Sequence, residues 1–218
     1  MTFNEQEAKD KKKIDEIYES VVQTSEYKQL TNVLSGLVNN LKSSETAKMH
    51  LKIYASALQK RFERSKHNLY FFKEDYWPQE NEPATLGKAW RFLALHETSL
   101  TNAIDLILMI FIAVHHDLYN FFTRKYVQSL DDLDKISLNE KMLFLEHHKL
   151  RIFNHNVNRD LRNKIAHMDF EIAPEGKIVI RNKEYDLEEE TYHLMGFTLC
   201  MAHSIADSGI PELLSELS

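Results

Sequence analysis

Arg159, Arg162, Asn163 and His167 bring together the side-chain types that a phosphodiester calls for. An arginine fork pairs with phosphate oxygens, an amide orients a hydroxyl or the phosphate, and an imidazole trades a proton near neutral pH. RNA carries its own nucleophile in the 2′-hydroxyl. One proton-transfer group and one cation at the charged transition state are then a sufficient minimum, with no metal or other cofactor required. Two proton transfers are better served by two histidines. One candidate histidine per chain therefore favours a two-fold homodimer in which both His167 side chains line a shared cleft.

The spacing says which element must hold these groups. At about 100° per residue, Arg159, Arg162, Asn163, Ala166 and His167 share an arc of about 140° on a helix running from Arg159 to His167. Val157, Leu161, Ile165 and Met168 share an opposing arc of about 80° and are expected to pack inward. His155 joins the polar face if the helix is unbroken, but Asn154, Asn156 and Asn158 favour caps and turns and predict a kink. Between Lys149 and Met168 five Lys or Arg residues stand against Asp160 alone, a local +4 in a chain of net charge -6. A chain of that net charge lacks the footprint of a general nucleic-acid coater, so any RNA site must be local. A non-catalytic reading uses the same residues: Arg162 and Asn163 brace the helix end while His167 caps it.

The motif Arg162-Asn163-Lys164-Ile165-Ala166-His167 resembles the Arg-polar-x-x-x-His signature of the HEPN superfamily. These are helical proteins that include many metal-independent endoribonucleases of toxin, antiphage and RNA-processing systems. The resemblance implies an all-α, up-and-down bundle over roughly residues 85–210, with the motif helices paired across a dimer. It implies Arg162, Asn163 and His167 as catalytic residues, with Arg162 holding the phosphate, Asn163 positioning substrate and His167 moving the proton. Arg159, His155 and Lys164 would steer the RNA backbone. An antitoxin or other regulatory protein is an expected partner. Some relatives carry Tyr two residues after the His; Asp169 stands there in this chain. Many family members are not known to cut RNA, so a non-catalytic dimerisation module binding a nucleotide or a protein is the alternative.

Composition supports a helical chain. With 5 Gly and 4 Pro in 218 residues, the tight turns of a large sheet fold are missing. Ile14, Ile17, Tyr18, Val21 and Val22 form one helical stripe. The lysines from Lys9 to Lys13 sit opposite it, with Asp10, Asp15 and Glu16 cancelling much of their field. Leu30, Val33, Leu34, Leu37, Val38 and Leu41 form a second stripe, and a third helix passes through Tyr54, Leu58 and Phe62. The helical period fails from Asn68 to Leu86. That marks the boundary between an N-terminal extension, residues 1–80, and a helical domain, residues 85–218, possibly packed as one unit. The rings of Tyr70, Phe71, Phe72, Tyr76 and Trp77 are expected to tuck into the core there. Helix resumes near Ala84 and is expected to reach about Tyr126, with a break near Thr98-Ser99. Ser137 and Glu140 have the form of a capping box. Phe170 to Ile172 and Ile178 to Ile180 flank turn residues and predict a β-hairpin. A last helix starts at Asp186 and stops at Asp207-Ser208-Gly209 and Pro211.

Other constellations read as structural. Eleven histidines include no pair four residues apart, so His115-His116 and His147-His148 are expected to be partly buried rather than metal ligands. Asp105 borders the apolar run Leu106 to Val114 and is expected either as a cap or exposed residue, or as the orienting partner of Arg159 or Arg162. The single Cys200 is expected in packing, and one cysteine suits a reducing compartment. The charged N-terminal segment lacks the apolar stretch of an export signal, and the apolar run is far short of about 20 residues. A cytoplasmic protein with no membrane contact is the expectation.

Overall fold

Thr24 and Ser44 cut the first part of the chain into three helices: α1 (Phe3–Val22), α2 (Ser25–Ser43) and α3 (Glu45–Glu74). Each hydroxyl accepts a backbone N–H of the following first turn, Thr24 from Tyr27 at 3.1 Å and Ser44 from Ala47 at 3.3 Å. These bonds satisfy amides that a helix start otherwise leaves orphaned. The computed structural model describes residues 3–74, 82–116, 118–120, 125–173 and 176–218. Within them α3 runs on to Glu74, past the point where the apolar period fails. Propagating a long helix costs only tenths of a kcal/mol per aromatic residue, roughly, so lost periodicity did not end it. The rings expected to tuck in at Tyr70, Phe71, Phe72, Tyr76 and Trp77 lie outside the described side chains.

The helix after the boundary is α4 (Glu82–Leu95), which continues through a π turn (His96–Leu100) into α5 (Thr101–His115). The break expected at Thr98-Ser99 is this π turn, and the chain stays helical through it. Thr98 and Thr101 donate to the carbonyls of Ala94 and His96, at 2.6 and 2.9 Å. Such back-bonding hydroxyls perturb the regular ladder. The helix does not reach Tyr126. His116 adopts the left-handed conformation (φ 74°), and β1 (Leu118–Asn120) then pairs antiparallel with β2 (Lys125–Val127). The aromatic and β-branched residues of that stretch suit a pleated strand as well as a helix.

Every residue of α5 from Ala103 to Ala113 is buried, which is the pattern of a helix surrounded on all sides. Among the described residues, Thr85–His115 alone is long and apolar enough to cross a membrane, and 72% of its most apolar window is buried inside the protein. Helices α2 and α3 pack on α5, joined by α6 (Leu130–Leu133) and α7 (Leu138–His147). α8 (Ile152–Asn156) and α9 (Arg159–Ala166) follow, then β3 (Glu171–Ile172), β4 (Ile178–Ile180) and β5 (Lys183–Tyr185). The expected hairpin is therefore a three-stranded antiparallel sheet. Arg181 and Asn182, both at positive φ (48° and 65°), make the second turn. The fold is mostly helical, and one hydrophobic cluster joins Leu34 and Leu51 to Ile107 and Met201.

Asp186 caps α10 (Leu187–Asp207), accepting from the amides of Glu188 and Glu189 at 2.9 and 3.3 Å. Pro211 does not stop the chain. It sits in the first turn of α11 (Ile210–Leu217), where the missing N–H is no loss. Gly196 lets α10 lie close against α1: a Cβ there would meet Ile17 Cγ2 at 2.7 Å and the Ile14 carbonyl oxygen at 3.2 Å. Gly196→Val is expected to push α1 away and cost about 1–3 kcal/mol. A lower urea midpoint with an unchanged slope is the readout.

Candidate active site

The motif helix is set by local signals. Asn158 caps α9, its Oδ1 accepting from Leu161 N at 3.2 Å while Nδ2 donates to Glu190 of α10 at 3.3 Å. Val157, Leu161 and Ile165 are buried as the wheel predicts. Met168 is not. α9 ends at Ala166, His167 is its C-cap, and Met168 turns out of the helix at φ 55° with 55% of its surface exposed. A wheel extended past the last helical turn misplaces whatever follows.

Arg162, Asn163, Lys164 and His167 all line one open cavity of about 980 Å³. Its other walls come from α3, the π turn, the first turns of α5 and the N-terminal end of α7. The capping box closes that α7 end. Glu140 accepts from Ser137 N at 2.9 Å and Ser137 Oγ accepts from Glu140 N at 3.3 Å. His167 is exposed, and its ring has no hydrogen-bond partner among the described residues. Lys164 is ion-paired with Asp169. That lysine holds the Asp169 carboxyl below the usual carboxylate range.

Arg159 and His155 lie elsewhere. The helix is broken at Val157, as the asparagines predict, and His155 Nδ1 stands 3.5 Å from Glu26 of α2. Arg159 donates to Asn139 Oδ1 at 2.7 Å. Both line a second cavity, of about 1100 Å³, toward the N-terminal end of α9. Two Lys or Arg side chains face five carboxylates there, a less favourable balance for a phosphate backbone. The structure thus places Arg159 and His155 in a different cavity from Arg162 and His167. Asn139 and Asn163 line both cavities.

The sequence reading missed Glu97. Arg162 Nε donates to Glu97 Oε1 at 2.9 Å, Nη2 bonds the same oxygen, and Nη1 donates to Asn163 Oδ1 at 3.0 Å. The π turn thus orients the motif arginine from across the cavity. A signal was available: Glu97 and Asp105 are the only acids between Thr85 and His115, and an acid in so apolar a stretch calls for a cation.

Asp105 has found two cations, though neither is the one expected. It is buried rather than exposed, and it pairs with Lys141 Nζ at 2.6 Å and Arg61 Nη1 at 3.1 Å. Arg61 in turn grips Asp134 through both nitrogens, at 2.8 and 2.7 Å. Burial pushes the Asp105 carboxyl up, while Lys141 and then Arg61 pull it down. The Arg61 bonds hold Asp134 below the usual range. This network ties α3, α5 and α7 together at the cavity wall.

His96 in the π turn is 1% exposed, and neither ring nitrogen has a partner. Burial, helped by the nearby Arg162 charge, pushes its pKa down to about 3. The unfolded chain takes up a proton below its ordinary value of 6.5, whereas the folded chain resists until about 3. Stability therefore falls as pH drops through that window. His96→Leu is expected to flatten this acid-side loss. It also removes unpartnered buried nitrogens that cost about 1–3 kcal/mol, which raises the melting temperature at neutral pH.

Cys200 is fully buried in packing, its thiol pushed up to about 12 by burial. His115 and His116 are exposed rather than partly buried. His115 and His148 stack with Phe111, His148 being half-buried and His147 exposed. Among the described residues no group of three or more His, Cys, Asp or Glu is placed to hold a metal ion. Comparisons of the chain with protein-family models, with curated proteins and with solved structures found no match.

Proposed function

We propose that this chain is a metal-independent endoribonuclease of HEPN type, acting as a cytoplasmic homodimer. The observation that carries the reading is the meeting of Arg162, Asn163 and His167 in one open cavity, with the His167 ring exposed and without a hydrogen-bond partner among the described residues. His167 takes the proton of the RNA 2′-hydroxyl, whose oxygen attacks the adjacent phosphorus. The P–O5′ bond breaks, and the departing 5′-oxygen takes a proton from the His167 of a second copy. The products are a 2′,3′-cyclic phosphate and a 5′-hydroxyl. Arg162 stabilises the added charge on the phosphoryl oxygens, and the Asn163 amide donates to the substrate. A toxin or antiphage role, restrained by an antitoxin or other regulatory protein, belongs to the same reading.

One observation favours the non-catalytic alternative, a dimerisation module that holds a nucleotide or protein: Glu97 already neutralises Arg162. In the nuclease, phosphate must displace that carboxylate or share the guanidinium with it. The test is incubation of purified protein with single-stranded RNA in EDTA. Cyclic-phosphate ends support the nuclease; saturable ligand binding without product supports the module.

A further inference from the structure

We propose that Arg64 of α3 binds a second phosphate of the RNA strand, so that the N-terminal helices form part of the substrate site; this rests on the ribonuclease reading. Five cationic side chains line the cavity that holds His167: Arg61, Arg64, Lys141, Arg162 and Lys164. Four are committed to carboxylates, Arg61 to Asp105 and Asp134, Lys141 to Asp105, Arg162 to Glu97, and Lys164 to Asp169. Arg64 is exposed and makes no ion pair or hydrogen bond among the described residues. It is the cavity's one cation of that kind.

Two further observations define the ligand. Arg64 lies three residues beyond Arg61 and so projects from the same face of α3, one turn from the anchored network. It stands on a different helix from the motif arginine. A ligand with a single phosphate is served by Arg162 alone, whereas a free guanidinium on a second element suits a chain of repeating phosphates. The second cavity, toward the N-terminal end of α9, is less favourable to such a chain, with five carboxylates against two Lys or Arg side chains. The strand therefore leaves the motif toward α3. Asn102, which lines the same cavity and makes no hydrogen bond among the described residues, stands ready for a sugar or base edge.

The experiment titrates a fluorescent, fully 2′-O-methylated single-stranded oligoribonucleotide, which cannot be cut, with full-length wild type, Arg64→Gln and Lys52→Gln. Lys52, an exposed α3 lysine outside both cavities and more than three helical turns from Arg64, serves as the charge-matched control. Arg64→Gln is expected to weaken binding roughly tenfold at low salt and to lower the slope of log affinity against log salt by about 0.7, one phosphate contact. On cleavable RNA it raises KM and leaves kcat within about twofold, because the contact is made equally before and during the reaction. Lys52→Gln changes neither. Equal binding by the two variants alongside a binding wild type overturns the Arg64 assignment alone. A wild type that binds no oligonucleotide overturns the ribonuclease reading and takes this inference with it.

Discussion

His167→Ala is expected to lose RNA cleavage by a factor of about 10²–10⁴ while melting at the wild-type temperature. The two halves of that result come from different features. His167 supplies only its backbone to the helix end, where its N–H donates to the Asn163 carbonyl at 3.1 Å, and alanine keeps that bond. The ring is exposed and unpaired, so its removal leaves no cavity and no orphaned partner. Rate, by contrast, depends on a group able to take the 2′-hydroxyl proton. Cleavage of RNA in EDTA, followed by end-group analysis and thermal melting of the same samples, measures both. A variant that cuts as fast as wild type removes His167 from the chemistry.

Asp105→Ala carries the largest expected effect on stability, about 3–5 kcal/mol. Lys141 is 3% exposed and Asp105 1%, so the substitution leaves a nearly buried ammonium group without its carboxylate. Arg61 keeps Asp134 and is disturbed less. Burial still pushes the Asp105 carboxyl up against the pull of both cations, so the intact network holds the charge at a cost. Asp105→Leu combined with Lys141→Met therefore recovers most of the loss, because it removes both charges and refills their space. Urea denaturation of Asp105→Leu, Lys141→Met and the double variant gives the coupling. Additive losses would show that the contact contributes nothing as a pair.

Much of the scaffold was legible because its signals are short in range. The Ser137-Glu140 box, the Asn158 cap and the Asp186 cap depend on residues within a few positions, and each formed where its spacing says. The motif face was legible for the same reason up to Ala166, and failed at Met168 where the helix stopped. The strands at Leu118–Asn120 and Lys125–Val127 were missed because apolar and aromatic residues following a long helix fit either period. The rest of the site lay beyond local signals. Glu97 meets Arg162 across 65 positions, and Arg61 meets Asp105 across 44. Only tertiary packing decides which acid answers which base.

The burial of α5 from Ala103 to Ala113 bears on how the chain leaves the ribosome. The greasy stretch Thr85–His115 emerges before α7, α10 and α11 exist, and for that interval it has the length and character of a bilayer span. α2 and α3 are already made by then, and both pack on α5 in the finished molecule. The partners for one side of the core helix thus precede it in the chain, whereas those for the other side follow it.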